Sequence, residues 1–181
     1  MSELALVKNA TTGVHTVLHN LGLGKGDAVV YFGTVYGAIE RMLVSMSEMT
    51  GVRCLKVEVR FPMGVEEVVG AFRETVERAA HSEPGSRVRV RAALLDTVVS
   101  MPAVRFPFER VVEACRELGV LSVVDGAHGV GQIALDLRAL KPDFFTSNCH
   151  KCVSPPLCVP SPLLSLLLEL WGGELWTPWL R

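Results

Sequence analysis

The 181-residue sequence lacks several features that would by themselves assign a function. Its net charge is only −1 and its lysines and arginines are scattered, so there is no electrostatic case for a nucleic-acid partner. It has no internal repeat. No apolar run reaches the ~20 residues of a membrane span. The leucine-rich stretch Leu163 to Trp171 is short and contains Ser165 and Glu169. Met1-Ser2-Glu3-Leu4 is neither a basic segment nor the start of an apolar one, so no signal peptide is expected. The glycines of Gly22-Leu23-Gly24-Lys25-Gly26 are not spaced as G-x-G-x-x-G and precede a strand pattern, which excludes the dinucleotide fingerprint. Five cysteines include one Cys-x-x-Cys, Cys149 and Cys152, with His150 and Cys158 nearby. No second such pair completes a metal site, so none is expected. These absences lead to the expectation of a cytoplasmic protein with reduced thiols and no membrane partner.

What remains is a folded domain's composition, 49% hydrophobic and 20% charged. Residues 4 to 21 read as a helix with Val14, Val17, Leu18 and Leu21 on one face and Asn9 or Thr11 as its cap. Asn9-Ala10-Thr11-Thr12-Gly13 would then offer free amides and hydroxyls to an anion. Strand patterns follow at 28–32, 52–59, 88–95 and 120–125, with helices from about Ala38 to Met49, Val65 to Ala80 and Pro107 to Leu118 between them. Alternating Lys56 and Glu58 suggest a sheet-edge position for the second of these strands. A polar loop covers His81 to Ser86. Strands alternating with helices predict an α/β, three-layer, mostly parallel sheet.

The chain is organised around residues 123 to 151. One apolar strand ends in Asp125, followed by Gly126-Ala127-His128. The next short apolar run, Asp143-Phe144-Phe145-Thr146, leads to Ser147-Asn148-Cys149-His150-Lys151. Open α/β sheets bind ligands outside the carboxyl ends of their strands. An acid and an amine placed there suit pyridoxal 5'-phosphate (PLP), whose aldehyde forms a Schiff base with lysine and whose ring nitrogen pairs with a carboxylate.

At Asp125 to His128, Asp143-Phe144 and Ser147 to Lys151 the chain resembles the class V aminotransferase family of PLP-dependent enzymes, which includes cysteine desulfurases and isopenicillin N epimerase-like proteins. The 26 positions between Asp125 and Lys151 also fit that family. The resemblance covers residues 4 to 151. It implies the large-domain fold of PLP-dependent transferases (fold type I), here incomplete, and a homodimer. It implies that Lys151 is the catalytic lysine and that Asp125 holds the pyridine nitrogen. Thr11, with Thr12 beside it, would bind the cofactor phosphate, as would His150. Ser147 and Asn148 compete for a further phosphate contact. Tyr36 would stack on the ring. His128 and Ser100 would reach the phenolic oxygen, although Ala103 stands where the family usually has glycine.

After Lys151 the resemblance ends. The family continues into another strand and a small domain that in many members carries an arginine for the substrate carboxylate. Here Pro155, Pro156, Pro160 and Pro162 argue against a central strand, and Leu163 to Trp171 is expected as a short helix over exposed core. The expected division is a partial PLP-binding domain over residues 1–151 and an unrelated tail over 152–181, as if a larger domain were trimmed at both ends. The leading expectation is an enzyme acting on an amino acid, of epimerase, lyase or desulfurase type. The alternatives are a non-catalytic homologue that binds PLP weakly or associates with a partner, and an α/β binding module without PLP.

Overall fold

The computed structural model describes residues 3–81, 88–152 and 165–169. The elements are β1 (Glu3–Val7), α1 (Ala10–Asn20), β2 (Asp27–Phe32), α2 (Gly37–Thr50), β3 (Arg53–Val57), α3 (Val65–His81), β4 (Arg89–Asp96), α4 (Phe108–Leu118), β5 (Leu121–Asp125), α5 (Leu137–Leu140), β6 (Phe144–Asn148), α6 (Cys149–Cys152) and β7 (Ser165–Glu169). Among the described residues the strands form one seven-stranded sheet in the order β1-β7-β6-β5-β4-β2-β3. Neighbouring strands from β3 to β6 run parallel, and β7 is antiparallel to both β6 and β1. β3 lies at the edge, as its mixed apolar and charged pattern suggests.

Strand alternation divides the core between the two faces. Ala28, Val30 and Phe32 of β2 pack with Val68 and Phe72 of α3 and with Val111 and Val112 of α4. Val29 and Tyr31 point the other way, toward Val14 and Leu18 of α1 and Ile39 and Leu43 of α2. The result is three layers, the α/β fold expected. Phe32 anchors the first cluster, with the Phe106 ring edge-on at a centroid distance of 4.7 Å.

The order of the strands locates the crevice. The chain leaves β2 for β3 at the edge, returns through α3 to β4 on the other side of β2, and then proceeds outward through β5 and β6. The direction of travel therefore reverses at β2 and β4. Their carboxyl ends open beside the point where such sheets take ligands.

Two expectations are corrected. The helix expected over 4–21 begins at Ala10, and Glu3–Val7 is a strand. Asn9 separates them: its backbone is extended (φ −166°, ψ 169°) and its side chain accepts the Thr12 N–H, a cap that ends the helix there. The apolar helical spacing belongs only to the residues after this cap; Leu6, before it, is 61% exposed. In the tail, Ser165–Glu169 is a strand and not part of a helix. Pro155, Pro156, Pro160 and Pro162 precede it and Pro178 follows it, so none removes a ladder donor, and it satisfies the facing edges of β1 and β6. The polar loop over 82–86, Cys158 and the tail prolines lie outside the described residues. No helix among the described residues is long and apolar enough to cross a membrane, and no group of three or more potential metal ligands occurs among them.

Candidate active site

Asp125 closes β5 at 6% exposure. One carboxylate oxygen accepts the Ala127 N–H at 2.9 Å. Burial pushes the Asp125 pKa up; the Ala127 N–H, the Lys151 ammonium and His128 pull in the opposite direction. The following residue has to be glycine for packing reasons. A Cβ on Gly126 would fall 2.2 Å from Cζ of the fully buried Phe145 ring. The Gly129 N–H bonds to the Gly126 carbonyl at 2.8 Å, and this turn carries His128 back over the end of the sheet.

The end of β6 supplies the other groups. The Ser147 hydroxyl donates to the Gly126 carbonyl at 2.7 Å. Asn148 Oδ1 accepts the Ala10 N–H at 2.9 Å and so fastens the first turn of α1 to the end of β6. The strand passes directly into the four-residue helix α6, which carries His150 and Lys151. Lys151 is exposed; its Nζ lies 3.2 Å from Nε2 of His128 and 5.9 Å from the centre of the Tyr36 ring.

These groups surround one cavity of about 200 Å³, lined by Asn9, Ala10, Thr11, Tyr36, Asp96, Ser100, Asp125, Ala127, His128, Asn148, His150 and Lys151. That is below the roughly 300–1,000 Å³ typical of drug-sized ligand sites and suits a single ring. The cavity gathers Thr11, Tyr36, Ser100, Asp125, His128, Asn148, His150 and Lys151 from the sequence-based set. It does not gather Thr12 or Ser147. Thr12 turns both its N–H and its hydroxyl to Asn9 Oδ1, at 2.8 and 3.0 Å, and Ser147 is buried against Gly126. Of Ser147 and Asn148, only Asn148 lines the cavity. Within the first turn of α1, Asn148 occupies the Ala10 amide and Asn9 the Thr12 amide. The Thr11 amide has no acceptor among the described residues and is the one left for an anion.

Sequence reading missed Asp96 as a wall residue. The signal was present, because Asp96 ends its strand as Asp125 ends the next. Ser100 is reached through a tight loop in which Ala103 has a φ of 63°. A left-handed backbone there explains why glycine would be the ordinary choice.

The family model described as Aminotransferase class-V matches residues 1–156. The chain belongs to the class V aminotransferase family. The cofactor of this family is pyridoxal phosphate. Among curated relatives, the L-cysteine desulfhydrase-like protein lolT1 of Epichloe uncinata is 41% identical over 156 residues, covering 86% of this chain and 34% of that protein. The probable chloroplastic L-cysteine desulfhydrase of Arabidopsis thaliana is 36% identical over 163 residues, covering 85% of this chain and 34% of that protein. The chain thus spans about a third of the length of these relatives. Solved structures share the fold. The cysteine desulfurase of Thermococcus onnurineus NA1 superposes with a TM-score of 0.74 at 16% identity, over 93% of this chain and 38% of that one. A C-DES mutant with glycine covalently linked to its PLP cofactor gives 0.73 at 20% identity, over 93% and 41%.

Proposed function

We propose that the cavity is a PLP site and that this chain carries the cofactor-binding part of a lyase acting on a sulfur-containing amino acid. One observation supports this most directly: a buried carboxylate at the end of β5 and a lysine just after β6 line the same small cavity, with a tyrosine ring beside the lysine. The donor set suits the cofactor at each end. Asp125 is the anion for a protonated ring nitrogen, which would offset the charge that burial disfavours. The Thr11 amide and hydroxyl with His150 and Asn148 form the end for the phosphate. Tyr36 supplies an aromatic face, and Ser100 and His128 are the polar groups for the phenolic oxygen. The residue division at 151, the homodimer and the cytoplasmic location belong to the same reading.

When bound, PLP acts as an electron sink for a carbanion at the amino-acid α-carbon. The protein's task is positioning and proton transfer. Lys151 anchors the aldehyde end and, once released from it, accepts and returns a proton at Nζ. His128, 3.2 Å from that nitrogen, holds the amine over the cavity and gives its proton a partner. Asp125 stays fixed and charged at the far end, where its buried position prevents water from replacing it. The choice of a sulfur-containing substrate comes from the relatives' names, since several of those at 30% identity or more are called L-cysteine desulfhydrase, probable L-cysteine desulfhydrase or L-cysteine desulfhydrase-like.

A second reading, PLP binding without turnover, is favoured by the cavity wall itself. No arginine lines it, so no guanidinium is in place among the described residues for a substrate carboxylate. Adding PLP to the purified chain should produce visible absorbance that Lys151→Ala abolishes. Sulfide release on adding L-cysteine would support the lyase reading, and absorbance without release over an amino-acid panel would support the second. If PLP produces no visible band, or the same band in Lys151→Ala, the cofactor reading is wrong.

A further inference from the structure

Asp96 and Asp125 are register partners on the adjacent parallel strands β4 and β5. Neighbouring strands are about 4.8 Å apart, and paired residues in a parallel ladder point to the same face. Both side chains line the cavity. Their surroundings differ sharply. Asp125 has the Ala127 N–H at 2.9 Å, with Lys151 and His128 near enough to favour its charge. Asp96, partly exposed, has no hydrogen-bond donor and no cation at its carboxyl among the described residues, and the charge that acts on it is that of Asp125. Two carboxyls at paired positions on the wall of one small cavity disfavour double ionisation, and the one without partners is the one that keeps the proton.

We propose that Asp96 is a positioning residue that stays protonated beside ionised Asp125, so that the cavity wall carries one negative charge and presents an O–H donor next to it. Its role toward the cofactor rests on the PLP reading; its protonation does not. PLP brings an anionic phosphate into a cavity of about 200 Å³. A second fixed negative charge would oppose that entry, whereas a neutral acid does not. Burial first, and the Asp125 charge second, raise the Asp96 pKa well above the ordinary carboxylate range, in agreement with the geometry. The other titratable groups at the cavity are Tyr36 from the β2–α2 corner, His128 after β5, and His150 and Lys151 on α6. The helices α3 and α4, which pack on β4, contribute none of the lining residues.

The test compares the chain without PLP with its Asp96→Asn variant in urea melts between about pH 4 and pH 8. A carboxyl whose folded pKa is raised stabilises the fold fully below its unfolded value, about 3.9, and that contribution is lost as pH rises to the folded value. Within that window the ratio of unfolding constants, wild type over variant, should grow about tenfold per pH unit, then level off. A ratio that stays constant across the range overturns the proposal. If Asp96→Asn does not fold, a carbon-13 carboxyl NMR titration of the wild-type chain decides the question. A resonance assigned to Asp96 that stays protonated after Asp125 and the other aspartates have ionised supports the proposal; Asp96 ionising before or together with Asp125 overturns it. Failure of the PLP reading would look different: neither protein would gain visible absorbance with PLP, while the pH signature would persist. With PLP bound, the variant should hold it at least as tightly as the wild type does. A loss of PLP affinity of tenfold or more in Asp96→Asn would refute the role toward the cofactor.

Discussion

The bond between Asn148 and Ala10 joins the two halves of the site, and its loss should be measurable. Asn148 is 5% exposed and Ala10 is 2% exposed, so water cannot readily replace the side-chain oxygen. The two residues are 138 positions apart and meet at 2.9 Å. Ala10 opens α1, so its amide has no partner within the helix. Asn148→Ala leaves that N–H buried and unsatisfied, at a cost of about 1–3 kcal/mol. For a chain of this size each kcal/mol moves Tm by about 2–4 °C, which gives a fall of roughly 2–12 °C. Ser147→Ala is the control from the adjacent position. It removes a donor to the Gly126 carbonyl, but that carbonyl keeps the Gly129 N–H at 2.8 Å. Its cost should lie near the lower end of about 0.5–1.5 kcal/mol. Urea unfolding at fixed pH, with equal m values, gives both numbers. PLP titrations should rank the variants in the same order, because only Asn148 fixes the anion-facing turn of α1. If Asn148→Ala is no less stable than Ser147→Ala, the proposed link between α1 and β6 does not contribute as described.

Three other outcomes are expected. Ala103→Gly should stabilise the chain by up to about 1.6 kcal/mol, read as a raised urea midpoint. Relief of a left-handed alanine, about 1–2 kcal/mol, exceeds the extra unfolded-state freedom of glycine, about 0.4–1 kcal/mol. The half-buried Cys54 thiol, pushed up to about 11 by burial, should have roughly a thousandth of its population as thiolate at pH 8. Iodoacetamide labelling followed by peptide mass mapping should find it slow in the folded chain, rising about tenfold per pH unit below pH 11. Asp125→Asn should raise stability without PLP at neutral pH, because burial raises the Asp125 pKa and the isosteric amide carries no charge. That advantage should shrink as pH falls to the unfolded carboxylate value, and the same variant should lose the visible PLP band.

Period and punctuation made most of the fold legible. Val14, Val17 and Leu18 gave α1 its inner face, and Asp125 and Lys151 could be placed on neighbouring strand ends from strand–helix alternation alone. Two kinds of information were not local. Leu4 to Val7 fits a helix or a strand by composition, and pairing with β7, more than 150 residues away, decides for the strand. Ser165 to Glu169 forms a strand because it fills the place between β1 and β6, which no window around it reveals. Within the site, Asn148 and Ser147 could not be separated by sequence. In a strand they face opposite sides, and only the register of β6 shows which one meets α1. Asp96 is legible by the rule that identifies Asp125, since each ends its strand at the cavity.

The site divides by rigidity according to what each group has to do. Asp125 only needs to hold a charge in place, so a buried strand end with an N–H donor suits it, despite the desolvation that raises its pKa. Lys151 has to reach one atom and then another. It sits exposed on a helix of four residues, too short to be stable by itself. Its position is therefore set by β6, from which α6 emerges, by His128 at 3.2 Å, and by the Asn148 bond that holds the end of β6 to α1. An alanine at 148 should then affect the amine as well as the anion end. PLP bound to Asn148→Ala should show weaker visible absorbance even when the cofactor concentration is raised to saturate the phosphate contacts. Recovery of the full wild-type band at saturation would mean that Lys151 is held by His128 and β6 alone.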